Sequence, residues 1–258
     1  LLTPMLKKRI IPLILFRGFN TYKGKKFNNN RLVSDLASIV NIYNMREADE
    51  LILIDLDSSE KKKKLNLEIL NEISYINHLP LSYGGGISTL EDIEKILKNG
   101  ADKVIINSNN YSNLSLINQA SRIFGSQCII GSVDYKYDYK KNEFYIYKKC
   151  GEKKVTTNPK EWVSKLIDSG IGELMLTSID NDGGLKGLDF SFLKYLKLKD
   201  KIPVLVGGGS RDHKDFINAF KKYDVSAVVS SSIYIFTEHT PQTIKQQLLK
   251  EKISIRIV

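Results

Sequence analysis

Two runs of three glycines, Gly84 to Gly86 and Gly207 to Gly209, each follow a short apolar segment and precede a polar one. Glycine has no Cβ, so backbone N–H groups there can approach a phosphate closely, and the start of a following helix adds partial positive charge. Each triplet is followed 21 to 25 residues later by a small polar cluster, Asn107 with Ser108 in one case and Ser230 to Ser232 in the other. The pattern predicts two phosphate sites, one from Gly85, Gly86, Asn107 and Ser108 and one from Gly208, Gly209, Ser231 and Ser232. The expected ligand is a phosphorylated small molecule with an anionic group at each end. Asp134 closes a further apolar segment, where it suits a general acid or base, or else a cap for the hairpin that follows. Asp55, Asp57, Asp180 and Asp182 also lie at segment ends, and Asp182, ahead of Gly183 and Gly184, suits hydroxyl binding or a turn.

The elements that must position these residues are repeated. DELILIDLD at 49–57 and GELMLTSID at 172–180 are offset by 123 residues, as are YGGGIS and VGGGSR, and KVIINS has its counterpart in AVVSSS. A duplicated half-domain follows, and repetition governs architecture before local features do. Eight short apolar segments read as strands: Arg9 to Leu15, Glu50 to Asp55, Leu81 to Tyr83, Lys103 to Ile106, Cys128 to Asp134, Glu173 to Thr177, Pro203 to Val206 and Ala227 to Ser230. They are continuously apolar and separated by helical patterns, which indicates a parallel sheet covered by helices. Eight such units in 258 residues predict an α/β fold, one (β/α)8 TIM barrel over 5–258 with half-barrels of about 5–127 and 128–258. Leu90, Ile93, Ile96 and Leu97 share a helix face, Ser88 with Glu91 is expected to form its capping box, and Thr240 with Pro241 reads as a helix start. Two stretches fall outside the repeat. Gly18 to Arg31 is basic and rich in asparagine and suits a mobile lid, and Tyr135 to Thr157 reads as a β-hairpin of FYIYKK and KKVTT joined by CGE.

Composition narrows the class. Apolar residues make up 42% and charged residues 26%, as expected of a globular chain with a full core. Apolar runs stop far short of the roughly 20 residues of a membrane helix, and no cleavable signal pattern is present, so no membrane role and a cytoplasmic location are expected. The three histidines and two cysteines lack metal-ligand spacing, so neither metal nor cofactor is expected, and Cys128 reads as core. The net charge of +10 is spread over helix faces and loops, which favours anionic small molecules over nucleic acid.

KKRIIP, DELILIDLD, YGGGI, GADKVIINS, FGSQ, GELMLTSIDNDG, VGGGS and the closing TPQTIKQQLL with ISIRI span essentially the whole chain from Met5. In these motifs the sequence resembles the cyclase subunit of imidazole glycerol phosphate synthase, a twofold-repeated (β/α)8 barrel of histidine biosynthesis. The resemblance implies a glutaminase subunit docked at the N-terminal face of the barrel and ammonia travelling along the barrel axis to a site at the other end. It places a four-residue charged gate on Arg9, Glu50, Lys103 and Glu173, and positions near the glutaminase on Asp102 and Gln127. It also implies Lys23, Asp55, Thr177 and Asp182 as substrate contacts.

One departure bears on activity. The family carries two aspartates, of which Asp134 matches the second while the first falls on Leu15, with Phe16 beside it. Leucine neither donates nor accepts a proton, so the cyclase and lyase chemistry loses a partner. In this the chain looks more like paralogues of surface-polysaccharide gene clusters, which imply an N-acetyl sugar amidotransferase as a further partner and conversion of an acetamido group into an acetamidino group. The leading expectation is an ammonia-conducting subunit. The alternatives are a working cyclase and a sugar-phosphate-binding scaffold.

Overall fold

The computed structural model describes residues 7–61, 64–107, 111, 113–198 and 201–256. Met5, where the expected barrel begins, lies outside them. Eight parallel strands close into a barrel: β1 (Arg9–Arg17), β4 (Leu51–Asp55), β5 (Leu81–Gly84), β6 (Lys103–Ile106), β7 (Ile129–Asp138), β10 (Glu173–Ser178), β11 (Val204–Gly207) and β12 (Ala227–Ser230). The remaining strands are β2 (Asn20–Lys25), β3 (Asn28–Asp35), β8 (Glu143–Lys148) and β9 (Lys153–Lys154). Around the barrel the order is β1, β4, β5, β6, β7, β10, β11, β12, and pairing of β12 with β1 closes it. Every expected strand is present within a few residues of its expected ends.

The alternation of side chains across each strand builds two cores. Ile11, Ile52, Ile105, Ile130, Met175, Leu205, Ala227 and Val229 point into the barrel and fill its middle, with Leu13 and Ile54 above them. Residues of the other parity, such as Ile10, Leu53, Val104, Leu174 and Val228, join the outer core beneath the helices. The covering helices are α1 (Leu36–Met45), α3 (Leu67–Ile76), α4 (Leu90–Lys98), α5 (Leu114–Phe124), α6 (Pro159–Asp168), α7 (Ser191–Leu196), α8 (His213–Lys221) and α10 (Pro241–Lys250). Two short helices, α2 (Leu56–Lys61) and α9 (Ser232–Phe236), follow β4 and β12 directly.

Local signals resolve as follows. Helix α10 starts at Thr240 and Pro241, as expected. The capping box of α4 is instead Thr89 with Asp92, and Asp92 Oδ2 also accepts from the Ser88 hydroxyl and backbone N–H. The box lies one residue later because Thr89, not Ser88, stands at the last extended residue before the helix, with φ −134° and ψ 163°. Cys128 ends a short 3-10 turn rather than opening the strand, and it is half-buried, packed against the outer core. The stretch over 18–31 is an antiparallel ribbon of β2 and β3 attached to the end of β1 through Leu15↔Tyr22. In the later insertion, FYIYKK pairs mainly with the extended end of β7, and KKVTT contributes only the two residues of β9.

Candidate active site and charged ring

The C-terminal ends of the strands enclose a cavity of about 620 Å³. Gly85 and Gly86 after β5 and Asn107 after β6 line one side, and Gly208 and Gly209 after β11 with Ser231 and Ser232 after β12 line the other. In the order of the barrel, β5 and β6 stand four strands from β11 and β12, so the two sets oppose each other across the mouth. Ser108, expected in the first set, lies outside the described residues. Glycine is required in the second set. Gly208 has φ 90°, and a Cβ there would sit 2.4 Å from the carbonyl oxygen of Ser178. Asn107 Oδ1 and Ser232 Oγ are buried with no hydrogen-bond partner among the described residues, and both residues line the cavity. Buried polar atoms are nearly always satisfied, so such orphans mark places where a polar ligand would complete the bonding.

Asp134 points into the cavity from β7, on the inward parity of Ile130 and Ser132, and accepts a 2.6 Å hydrogen bond from Asn107 Nδ2. Burial raises its carboxyl, the nearby charge of Asp182 adds to that, and hydrogen bonds from Asn107 and Thr177 oppose it; the net result is a group pushed up to about 7. Asp182 is itself held by Lys23 at 2.9 Å, and this lysine of the β2–β3 ribbon is 4% exposed. The backbone of Lys26 also donates to the carbonyl of Asp182 at 2.9 Å, which ties the ribbon to the cavity wall. Thr177 lines the same wall.

Leu15 lines the cavity too, from β1, four strands from Asp134 in the barrel order. The inward position on β1 is therefore apolar, as read from the sequence. Asp55 corrects an expectation. It is 2% exposed, does not line the cavity, and accepts from the Ser58 hydroxyl at 2.7 Å and the Tyr83 hydroxyl at 3.0 Å. Strand parity explains the difference: Ile54 faces inward, so Asp55 faces outward and holds the turn into α2. Sequence reading passed over Ser58, Ser132, Lys149 and Cys150, all of which line the cavity. Ser132 was visible as the inward position two before Asp134. Lys149 and Cys150 reach the site only because the insertion folds back over the mouth.

At the opposite end, where the strands begin, Arg9, Glu50, Lys103 and Glu173 form a closed ring. Arg9 contacts Glu50 at 2.6 Å and Glu173 at 2.7 Å, and Lys103 contacts the same two carboxylates at 3.0 and 3.2 Å. The four side chains are 10 to 17% exposed. Burial alone would lower the Arg9 guanidinium, but Glu173 and Glu50 outweigh it and hold the group above its ordinary value. Alternating signs let each charge satisfy two neighbours, which offsets the cost of desolvating all four. Next to the ring, Asp49 accepts from Ile10 N–H and pairs with the buried Lys245 at 2.7 Å, anchoring α10 to β1 and β4. Asp102 Oδ2 accepts from Leu81 N–H at this end of the barrel. Between ring and cavity lies the apolar layer of Ile11, Ile52, Ile105, Ile130, Met175 and Leu205.

Comparison with known proteins gives the family. The family model "Histidine biosynthesis protein" matches residues 9–240. Over 254 residues the chain is 37% identical to the "Putative imidazole glycerol phosphate synthase subunit hisF2" of Campylobacter jejuni, covering 98% of this chain and all of that protein. It is 35% identical over 252 residues to the imidazole glycerol phosphate synthase subunit HisF of Staphylococcus carnosus, covering 98% and 99% of the two chains. To the HisF subunit of Dictyoglomus thermophilum it is 36% identical over 253 residues, covering 98% and 100%. With a family match over most of the barrel and full-length relatives at these identities, the chain belongs to the histidine biosynthesis protein family and, within it, to the HisF subunits of imidazole glycerol phosphate synthase.

Proposed function

We propose that this chain is the ammonia-receiving barrel of a glutamine amidotransferase complex, with a glutaminase subunit seated against the charged ring. The observation that carries this reading is the ring itself: four alternating charges close one end of a barrel whose interior between ring and cavity is apolar. An apolar bore favours neutral ammonia, because ammonium would have to shed its hydration without a compensating charge. Ammonia would enter as the ring opens, cross the apolar layer and emerge beside Asp134 in a cavity walled by two glycine cradles. Leu15 supports a further step in this reading. With one of the two carboxylates replaced, the barrel is poorly equipped for ring closure, and the ammonia serves an N-acetyl sugar amidotransferase that makes an acetamidino group on a surface-polysaccharide precursor.

The test is Arg9→Ala in the reconstituted complex. Glutamate should still form while ammonia-dependent product falls about tenfold or more, and external ammonium should restore the product. Product formation that keeps pace with glutamate would refute the route. A second reading, a working cyclase, is favoured by Asp134 being poised near neutrality between the two glycine cradles. It requires the purified chain to turn over the family's bis-phosphorylated substrate with ammonium at pH about 8, and to lose that activity in Asp134→Asn. Absence of turnover by the wild-type chain would exclude it.

A further inference from the structure

Strand β7 continues past the barrel rim, and its register with β8 sets Asp134 opposite Tyr147, Lys136 opposite Tyr145, and Asp138 opposite Glu143. Tyr147 is in turn opposite Lys154 of β9. Residues directly opposite in an antiparallel pair share a face, so Asp134, Lys136, Tyr145, Tyr147 and Lys154 lie on one side of the ribbon. The other side is consumed by packing. Ile146 is fully buried, Tyr135 stacks on Phe192 at 4.3 Å, and Phe144 lies 5.1 Å from both Phe192 and Tyr195. Tyr145 and Tyr147 take no part in that core. They remain half-exposed, with Lys136 4.6 Å from the Tyr147 ring centre and Lys154 over the Tyr145 ring. The base of this face is Asp134, and the turn beyond β8 brings Lys149 and Cys150 to the cavity wall. An aromatic and basic platform thus runs from the cavity outward.

We propose that this face binds the nucleoside diphosphate portion of a nucleotide-linked acceptor. The proposal rests on the further step of the ammonia-receiving reading, in which the ammonia serves a sugar amidotransferase, since it names the acceptor presented at the mouth. Two residues apart on one strand, the tyrosine side chains leave the backbone roughly 7 Å apart on the same face. A base stacks on aromatic rings whatever its identity, and it takes the ring faces as Lys136 and Lys154 leave them to neutralise the diphosphate. Asp138 and Glu143 lie at the outer tip of the same face, and Asp134 and Asp180 stand by Tyr147 at its inner end, so its positive charge sits between them at Lys136 and Lys154. That polarity places the diphosphate at Lys136 and Lys154 and directs the group attached to it toward Asp134.

The test compares uridine diphosphate with pyrophosphate by calorimetric titration of the full chain. Uridine diphosphate should bind about tenfold or more tighter, the margin expected of base stacking. Y145A/Y147A should erase the margin without changing pyrophosphate affinity, and Y145F/Y147F, which keeps the rings, should retain it. The same margin in the alanine variant, or no margin in the wild-type chain, overturns the platform. Tighter binding of a thymidine oligonucleotide than of uridine diphosphate overturns it as well, in favour of a nucleic-acid surface. Arg9→Ala coupling is read in parallel. Loss of the base-dependent margin with coupling intact refutes the platform alone, and an intact margin with no gate dependence refutes the ammonia route.

Discussion

Asp134 should make the stability of this protein fall as pH rises through neutrality, and Asp134→Asn should remove that dependence. Its carboxyl moves from 3.8 to about 7 on folding, so the native state binds a proton more tightly than the unfolded state does. For such a group the stabilising contribution is fully present below the unfolded value and is lost as pH rises through the folded value. With those two values, the native state is favoured at pH 5 over pH 8 by roughly 2 to 3 kcal/mol from this residue alone. Asparagine has nearly the same shape, and its carbonyl can still accept from Asn107, so the substitution removes the titration with little change in packing. The assay is denaturant unfolding at pH 5 and pH 8, followed by the fluorescence of Trp162, the single tryptophan, which stacks on Tyr111 at 4.5 Å. Other titrating groups cancel in the difference between wild type and variant. That difference should change by roughly 2 to 3 kcal/mol between the two pH values. A change below about 1 kcal/mol would show that Asp134 is not held protonated near neutrality, and the cavity would then contain an ordinary carboxylate.

Two further substitutions probe the walls of the site. Lys23→Met strips Asp182 of its buried partner, so stability at pH 8 should fall by about 3 kcal/mol. The unneutralised Asp182 charge should also push the Asp134 midpoint upward in the same pH series, and an unmoved midpoint would uncouple the two carboxylates. Gly208→Ala forces a Cβ against the Ser178 carbonyl at a backbone angle that disfavours it. It should cost about 2 to 4 kcal/mol in denaturant unfolding and abolish saturable binding of inorganic phosphate on that side of the cavity, whereas normal phosphate affinity would separate the cradle from anion binding.

Much of this protein was determined by sequence alone, because its information is periodic. The 123-residue repeat, the continuous apolar segments and the glycine triplets each specify a strand end within a few residues, and eight such units admit a closed parallel barrel. Inward and outward parity follows from alternation along each strand, so the placement of Leu15 and Asp134 in the cavity was legible, and the outward turn of Asp55 was readable from Ile54 beside it. Only the tertiary structure decided what depends on closure. Residues 9, 50, 103 and 173 are far apart in the chain, and their charges become a ring only when β10 and β12 close the barrel through β7 and β1. The shift of Asp134 depends on burial and on Asp182 arriving from a different strand end, and neither is local. The capping of α4 by Thr89 rather than Ser88 turned on backbone angles that both residues could have adopted. The tyrosine and lysine face over the mouth exists because β8 pairs with β7 in one register, and a shift of one residue would have turned those rings to the opposite side.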